Sequence, residues 1–366
     1  MGACDRLRGP SRRTLSRIVV FGGYGTFGRQ VCHELARRGH AVTVAGRERQ
    51  RARALADELT GHQHGAVQAD AREIASSREA LKGAAVAVLC AGPFADMPTA
   101  VAEAALAERA HYVDIADDRG YIRRVRACHD RFAAGGLCAA YGCSSLPGLS
   151  TALGMELRAA RPEPPASARV TLFIGNRNPK GEAAIRSLVA QLGQPVSTPE
   201  GAGRGFGDGE VVPLPPPFGS RRAYTFDGPE YDLFPPLLGV ARVSVKVAFE
   251  LRAATAALAF LARVGSGYGA ATTTALSWLG RLGSHVGSSG GAVMTELEWP
   301  EGMRSWAAAV AEQDGQRMAA LPAAIVADAL AAGRSAVVGA GLAPQVVSAS
   351  SLLAAVAQSG FRVIRG

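Results

Sequence analysis

The stretch Gly22-Gly-Tyr-Gly-Thr-Phe-Gly28 constrains this chain more than any other. It follows the apolar run Arg17-Ile-Val-Val-Phe21 and opens a helical pattern, in which Phe27, Val31 and Leu35 recur at i, i+4 and i+8. Within it, Gly23, Gly25 and Gly28 form a G-x-G-x-x-G spacing. The spacing alone is weak; a strand before it and a helix after it give it meaning. The first glycine allows a tight turn, Gly25 lets a diphosphate approach the backbone, and Gly28 lets the helix pack close to the strand. The N–H groups around Tyr24, Thr26 and Phe27 would then hold the anion. The plainer alternative is a glycine-rich turn without a ligand.

The first third of the chain alternates strand and helix signals, as a parallel sheet requires. Strands are expected at 17–21, 40–45, 66–70, 85–90, 111–115 and 137–141, and helices at 26–39, 47–59, about 98–109 and 119–134. Pro98 fits the first turn of its helix. Ile122, Val125, His129 and Phe132 share one face of theirs, so His129 reads as a core residue. Six strands in β-α order make a doubly wound (Rossmann) α/β fold. After Pro147 the pattern changes to an α+β second domain for substrate or dimerisation. It has a helix at 148–160, a Pro-rich joint at 161–165, a strand at 168–174 and a helix at 181–192. A loop or short hairpin fills 201–219, and strands follow at 221–226, 243–249 and 292–299. Residues 305–313 with Asp314-Gly315 suggest a hairpin turn, and a helix is expected at 321–332. The expected division is a flexible basic tail at 1–16, the Rossmann domain at 17–147 and the α+β domain at 148–340. Residues 341–366 would pack back on the first domain.

Net charge is +9, yet only three of the 40 basic residues are lysine: Lys82, Lys180 and Lys246. The arginines are scattered among abundant glycine and alanine, which points to coding bias in a GC-rich genome and not to a nucleic-acid surface. Cys4, Cys32, Cys90, Cys128, Cys138 and Cys143 form no C-x-x-C pair and no zinc spacing. Free thiols, a reducing cytoplasm and no metal are expected. His62 and His64 lie in a loop without metal partners. The N-terminus lacks a secretory apolar core. The apolar stretch 253–283 is cut by Arg263, Arg281 and glycines, short of the roughly 20 uninterrupted residues of a membrane helix. Helices of the second domain, or of a subunit interface, fit it better, and no membrane partner is expected.

Cofactor choice turns on the end of the second strand. An NAD site places Asp or Glu there to hold the ribose 2′-hydroxyl. This chain has Ala45-Gly46-Arg47, then Arg49, Arg51 and Arg53. A guanidinium at Arg47 can pair bidentately with a 2′-phosphate, so NADP(H) is expected. Arg51 and Arg53 fit an exposed helix face. Asp70 ends the third strand, either at the adenine edge or as a helix N-cap. Ala91, Gly92, Pro93 and Phe94 end the fourth strand, beside the switch point where ribose and nicotinamide bind.

Four stretches together resemble the saccharopine dehydrogenase-like family: Val19 to Gly28, Ala45-Gly-Arg47, Cys90-Ala-Gly-Pro-Phe94 and His111-Tyr-Val-Asp114. Gly142-Cys-Ser-Ser-Leu-Pro-Gly-Leu149 looks like that family's loop between domains. The resemblance is good over residues 17–155 and looser beyond. It implies an NADP-type Rossmann domain, an inserted substrate domain, often a homodimer, and oxidation or reduction of a carbon–nitrogen bond in amino-bearing compounds. Short-chain dehydrogenases also share a glycine-rich start, but they need Tyr-x-x-x-Lys, and no tyrosine here has Lys four residues on.

Reduction of an imine or carbonyl needs an acid near the developing charge. Asp114, Asp117 and Asp118 follow the fifth strand and are the best placed. Asp114 borders the cofactor or caps a turn; Asp117 and Asp118 are catalytic acids or an exposed helix start. Tyr141, Cys143, Ser144 and Ser145 end the sixth strand. Ser144 and Ser145 either donate to substrate, with Ser145 binding it, or cap the next helix. Arg177 and Asn178 would bind a substrate carboxylate, and Lys246 is the further substrate candidate. Lys180 and Glu250 are the other titratable groups of interest. The expected function is NADP(H)-dependent reduction of a C=N or C=O bond of a small amino-bearing metabolite. The alternatives are reduction of an activated C=C bond or an alcohol/ketone pair, and a non-catalytic NADPH-binding regulator.

Overall fold

The computed structural model describes residues 16–366 apart from His62, Lys180, Gly283 and Ser284. The expected tail with Cys4, and the residues His62 and Lys180, therefore lie outside the described residues, save Ser16. The N-terminal strands are β1 (Arg17–Phe21), β2 (Ala41–Gly46), β3 (Gly65–Gln68), β4 (Val86–Leu89), β5 (His111–Asp114) and β6 (Cys138–Tyr141). The second part holds β7 (Ser167–Ile174), β8 (Pro195–Thr198), β9 (Gly201–Arg204), β10 (Glu210–Pro213), β11 (Ser220–Thr225), β12 (Arg242–Phe249), β13 (Gly291–Glu298) and β14 (Arg304–Ala311). Near the C-terminus come β15 (Gly339–Leu342) and β16 (Arg362–Arg365).

The first sheet runs β15-β6-β5-β4-β1-β2-β3, and every pair in it is parallel. β4 is buried along its whole length, as a strand covered on both faces must be. The second sheet is mixed and runs β10-β11-β12-β7-β13-β14-β16, while β8 and β9 form a separate hairpin. The Rossmann-type sheet and the second α+β part both match expectation.

A helix shared by both sheets joins them. Gly315–Ala331 reads MAALPAAIVADAL through its middle, apolar on every side, so it can only be a core helix. It packs on β4 and β5, on β13 and β14, and along the helix Thr26–Arg37. Leu321 and Val326 are fully buried, each contributing roughly 1.5–3 kcal/mol by the area removed from water. Its one buried acid, Asp328, accepts from His40 Nε2 at 2.8 Å and pairs with Arg38 and Arg334. Burial opposes its charge, but the His40 and Arg334 hydrogen bonds prevail and hold the carboxyl down at about 2.

Several sequence expectations need correction. Asp314-Gly315 is not a hairpin turn: Asp314 has φ +58 and starts this helix, which begins at Gly315 and runs through Pro322. A Cβ at Gly315 would lie 2.9 Å from the Gly290 carbonyl oxygen, so close packing explains the glycine. The helix expected over 119–134 is broken into Arg119–Arg126 and His129–Ala134. The break turns His129 out to solvent, where its Nδ1 accepts from Ala340 N–H at 3.0 Å. Pro98 precedes its helix, which starts at Ala100. A helix at Ile74–Leu81 went unread, because its apolar stripe is short and Ile74 itself is exposed.

The C-terminal residues divide between the layers. β15 extends the first sheet beside β6, whereas β16 pairs with β14 in the second. The apolar stretch 253–283 forms the helices Arg252–Val264 and Ala270–Leu282. No helix among the described residues is long and apolar enough to cross a membrane.

Candidate active site

The loop after β1 is built from backbone contacts that no side chain could share. Gly22 adopts φ +71 and donates to the Ala45 carbonyl at 2.9 Å, tying the end of β1 to β2. A Cβ at Gly28 would lie 2.1 Å from the Gly22 oxygen, and one at Gly22 would lie 2.8 Å from Ala91 N. Backbone cannot yield, so the helix starts hard against the loops after β1 and β4. Gly25 caps the helix Thr26–Arg37, with no side-chain cap and no acid in the first turn. Its first N–H groups stay open to an anion.

Tyr24 folds back along β2. Its ring lies 2.3 Å from where a Cβ at Gly46 would be, so only glycine fits there. The Tyr24 hydroxyl accepts from Glu48 N–H at 3.1 Å, and the Arg51 guanidinium covers the ring at 4.6 Å. Arg51 pairs with Glu48 and Arg53 with Asp57. Arg47 is exposed and has no ion-pair partner among the described residues. An open helix terminus and a free guanidinium beside the end of β2 fit a 2′-phosphorylated dinucleotide. Asp70 turns inward on its own loop, its Oδ1 accepting from Arg72 N–H at 2.9 Å.

The second domain reaches over this groove. A Cβ at Gly181 would sit 2.9 Å from Thr26 Oγ1, and Ala183 lies 3.6 Å from a Cβ position at Gly92. Phe94 packs its ring on Tyr121, centroids 5.1 Å apart. The approach of residues 181–183 was missed in the sequence, where nothing but two small residues at a helix start marks it.

The ends of β5 and β6 are held by Asp114. Its side chain is fully buried, and Oδ1 accepts from Gly142 N–H at 2.8 Å and Ala116 N–H at 3.0 Å. Oδ2 has no partner in hydrogen-bond geometry; the Tyr112 hydroxyl is the polar group beside it. Burial outweighs these donors and raises the carboxyl to about 6. Asp114 is thus a pin between strands and does not open to the groove, contrary to its expected cofactor role. Asp118 caps the helix Arg119–Arg126, accepting from Tyr121 N–H at 2.7 Å. Ser144 donates to its own turn, at the Leu146 carbonyl 2.6 Å away. Both expected catalytic hydroxyl and acid are therefore locally engaged.

Asp117 and Ser145 remain. Asp117 is partly exposed just past β5, and burial, reinforced by Asp118, raises its carboxyl to about 6. Ser145 follows the adjacent β6 and has no hydrogen-bond partner for its hydroxyl among the described residues. Cys143 is fully buried, and burial raises its thiol well above the usual range, so it is no nucleophile.

The expected substrate residues of the second domain do not join them. Asn178 is buried and donates to the Gly175 and Gly290 carbonyls at 3.0 and 2.7 Å. Lys246 is buried in the second sheet, donating to Asp208 O at 2.8 Å and Thr225 Oγ1 at 3.2 Å. Glu250 accepts from Asn176 and Ser288 N–H groups. Arg177 is exposed. Sequence reasoning overlooked two groups that lie on the domain boundary. Arg119 bridges to Asp232 at 3.0 Å, Asp227 at 2.8 Å and the Ser197 carbonyl at 2.7 Å. Glu230, fully buried, accepts from Ser150 Oγ at 2.5 Å while its Oε2 is unpartnered. Burial, with a contribution from the Asp117 charge, raises Glu230 to about 7 against the hydrogen bonds that lower it. Their distance in sequence, from 119 to 232 and from 150 to 230, hid both.

This geometry defines a two-domain dinucleotide-binding protein. Residues 18–139 match the family described as the saccharopine dehydrogenase NADP binding domain. Residues 18–139 thus form an NADP-binding domain of the saccharopine dehydrogenase type, and the cofactor it takes is NADP(H). The whole fold is similar to apo histidine-tagged saccharopine dehydrogenase (L-Glu forming) from Saccharomyces cerevisiae. That match has a TM-score of 0.64 and 11% identity, and covers 96% of this chain and 99% of the yeast chain. A short-chain type dehydrogenase/reductase from Mycobacterium ulcerans matches 34% of this chain and 66% of its own, at 16% identity and TM-score 0.30. No curated protein sequence matches the chain. The NADP-binding domain supports an NADP-dependent oxidoreductase, and the shared architecture shows the fold.

Two outcomes follow from the site. Arg47→Ala should weaken NADPH binding roughly 10–100-fold, the worth of a charge-assisted pair, and leave NADH binding nearly unchanged in fluorescence titrations. Equal losses for both cofactors would remove Arg47 from the 2′-phosphate. Glu230 carries a raised pKa, so the stability it allows is complete below its ordinary 4.5 and is lost as pH rises through about 7. Glu230→Gln should therefore raise Tm at pH 8 and give no gain at pH 4; a gain independent of pH contradicts the buried-acid account.

Proposed function

We propose that this protein reduces a C=N bond, or a C=O bond, of a small amino-bearing metabolite in a cytoplasmic biosynthetic step. NADPH supplies the hydride when bound in the groove. The observation that carries the reading is Asp117: a partly exposed carboxyl three residues past the carboxyl end of β5, raised to about 6 by burial. Such a group keeps its proton to a higher pH than an ordinary carboxyl and, in its neutral form, can deliver it to a developing amine or alkoxide. Ser145, with a free hydroxyl past the neighbouring strand, orients the substrate. Residues 181–183 of the second domain exclude water from the phosphate loop. The five described cysteines are all free thiols, which fits a reducing compartment.

As the proton donor, Asp117 must be neutral, so the kcat of reduction should fall as pH rises through about 6. Asp117→Asn should lower kcat about 10²–10⁴-fold and abolish that limb, with NADPH binding kept. The assay is NADPH oxidation with 2-oxo acids plus amines, then with ketones and enoyl compounds. Tight NADPH binding without turnover on any of them favours the regulator instead.

We also propose a homodimer. Among the described residues, four of the eight exposed large hydrophobic side chains fall on or beside the helix pair 252–282: Phe260, Val264, Trp278 and Val286. Such clustering is unusual for a free surface, and a second copy would cover it. Phe260→Ser with Trp278→Ser should halve the mass measured by light scattering; a wild-type monomer at micromolar concentration removes the proposal.

A further inference from the structure

A cleft of about 520 Å³ opens at the other end of the first sheet, lined by Arg123, Arg126, His129, Tyr141, Ala340 and Gln345 among others. It lies beside β6 and β15, with β5 and β4 between it and the phosphate loop of β1. Tyr141, at the end of β6, lines this cleft. Gln345 Oε1 is already taken by Leu342 N–H at 2.9 Å, which leaves its amide N–H groups free to donate. His129 Nδ1 faces both the Ala340 N–H at 3.0 Å and the Ala340 carbonyl at 3.3 Å; in the tautomer that accepts from the N–H, Nε2 carries the proton and can donate. Tyr141 is 5% exposed, and its hydroxyl has no partner among the described residues. Arg123 and Arg126 are exposed and have no carboxylate partner there, and no Asp or Glu lines the cleft. Burial raises the Tyr141 hydroxyl above its ordinary range against the opposing charge of Arg126, so it stays a neutral donor.

Two of the groups, Arg123 and Arg126, are permanently charged and, like His129 and Gln345, exposed. The Tyr141 hydroxyl is buried at the cleft without a partner among the described residues, and such a group is incomplete by itself. We infer that this cleft binds a phosphate-bearing anion, with Arg123 and Arg126 clamping the phosphate and Tyr141, His129 and Gln345 donating to its remaining oxygens. Two guanidiniums and three further donors exceed what one carboxylate can accept, and they suit the three terminal oxygens of a phosphate monoester. The volume leaves room for the group that carries the phosphate.

The test uses the full chain saturated with NADPH, so that its own phosphate loop is filled. Inorganic phosphate is titrated by calorimetry at constant ionic strength, with acetate and chloride as parallel arms. The expected result is saturable phosphate binding, weakened at least tenfold in Arg126→Ala and Arg123→Ala and several-fold in Tyr141→Phe. Arg47→Ala should leave it unchanged, and the NADPH affinity of Arg126→Ala should equal wild type, showing that the variant is folded. Phosphate binding that survives both arginine variants, or that disappears in Arg47→Ala alone, overturns the proposal. Acetate binding as tightly as phosphate overturns the phosphate assignment, and no saturable binding overturns the site.

Discussion

Everything in this molecule hangs on the burial of one helix between two sheets. Gly315–Ala331 has no polar face, so it cannot lie on a surface. Its contacts with β4, β5, β13 and β14 make the two domains share one core. The sheets therefore cannot slide freely, and the groove between them is set by packing. Arg119 and its two aspartates add a second, polar fastening at the mouth of that groove.

Electrostatics at the boundary follow from the same closeness. Asp114, Asp117 and Glu230 are all raised by burial, and the Asp117 charge is felt at Glu230. They differ in what surrounds them. Asp114 is held by two backbone donors, Glu230 by one serine, and Asp117 retains access to solvent. One desolvating seam thus yields a structural pin, a buried acid and a reactive candidate.

The first sheet was legible because its signals are local. A glycine loop between strand and helix, and the apolar run of β4, each lie within a few residues. What failed was whatever depends on partners far away in sequence. His129 sits on a periodic apolar face, yet a break at Ala127–Cys128 turns it outward to meet Ala340. Lys246 and Asn178 are rare or polar enough to suggest chemistry, but each satisfies carbonyls inside the second sheet. Asp117 and Ser145 were visible by position at the ends of β5 and β6, whereas Glu230 and Arg119 needed the second domain in place. Local pattern carries no information on which distant polar group will complete a buried one.

The crossing of the C-terminal strands has a consequence for how the chain comes to its final form. β15 completes the first sheet and β16 the second, and both lie within the last 28 residues. A growing polypeptide emerging from the ribosome thus lacks the central helix and the outer strands of both sheets until residues 315–365 have been made. The amino-terminal nucleotide-binding sheet gains its last strand only after the residues of the second sheet up to β14 have been made.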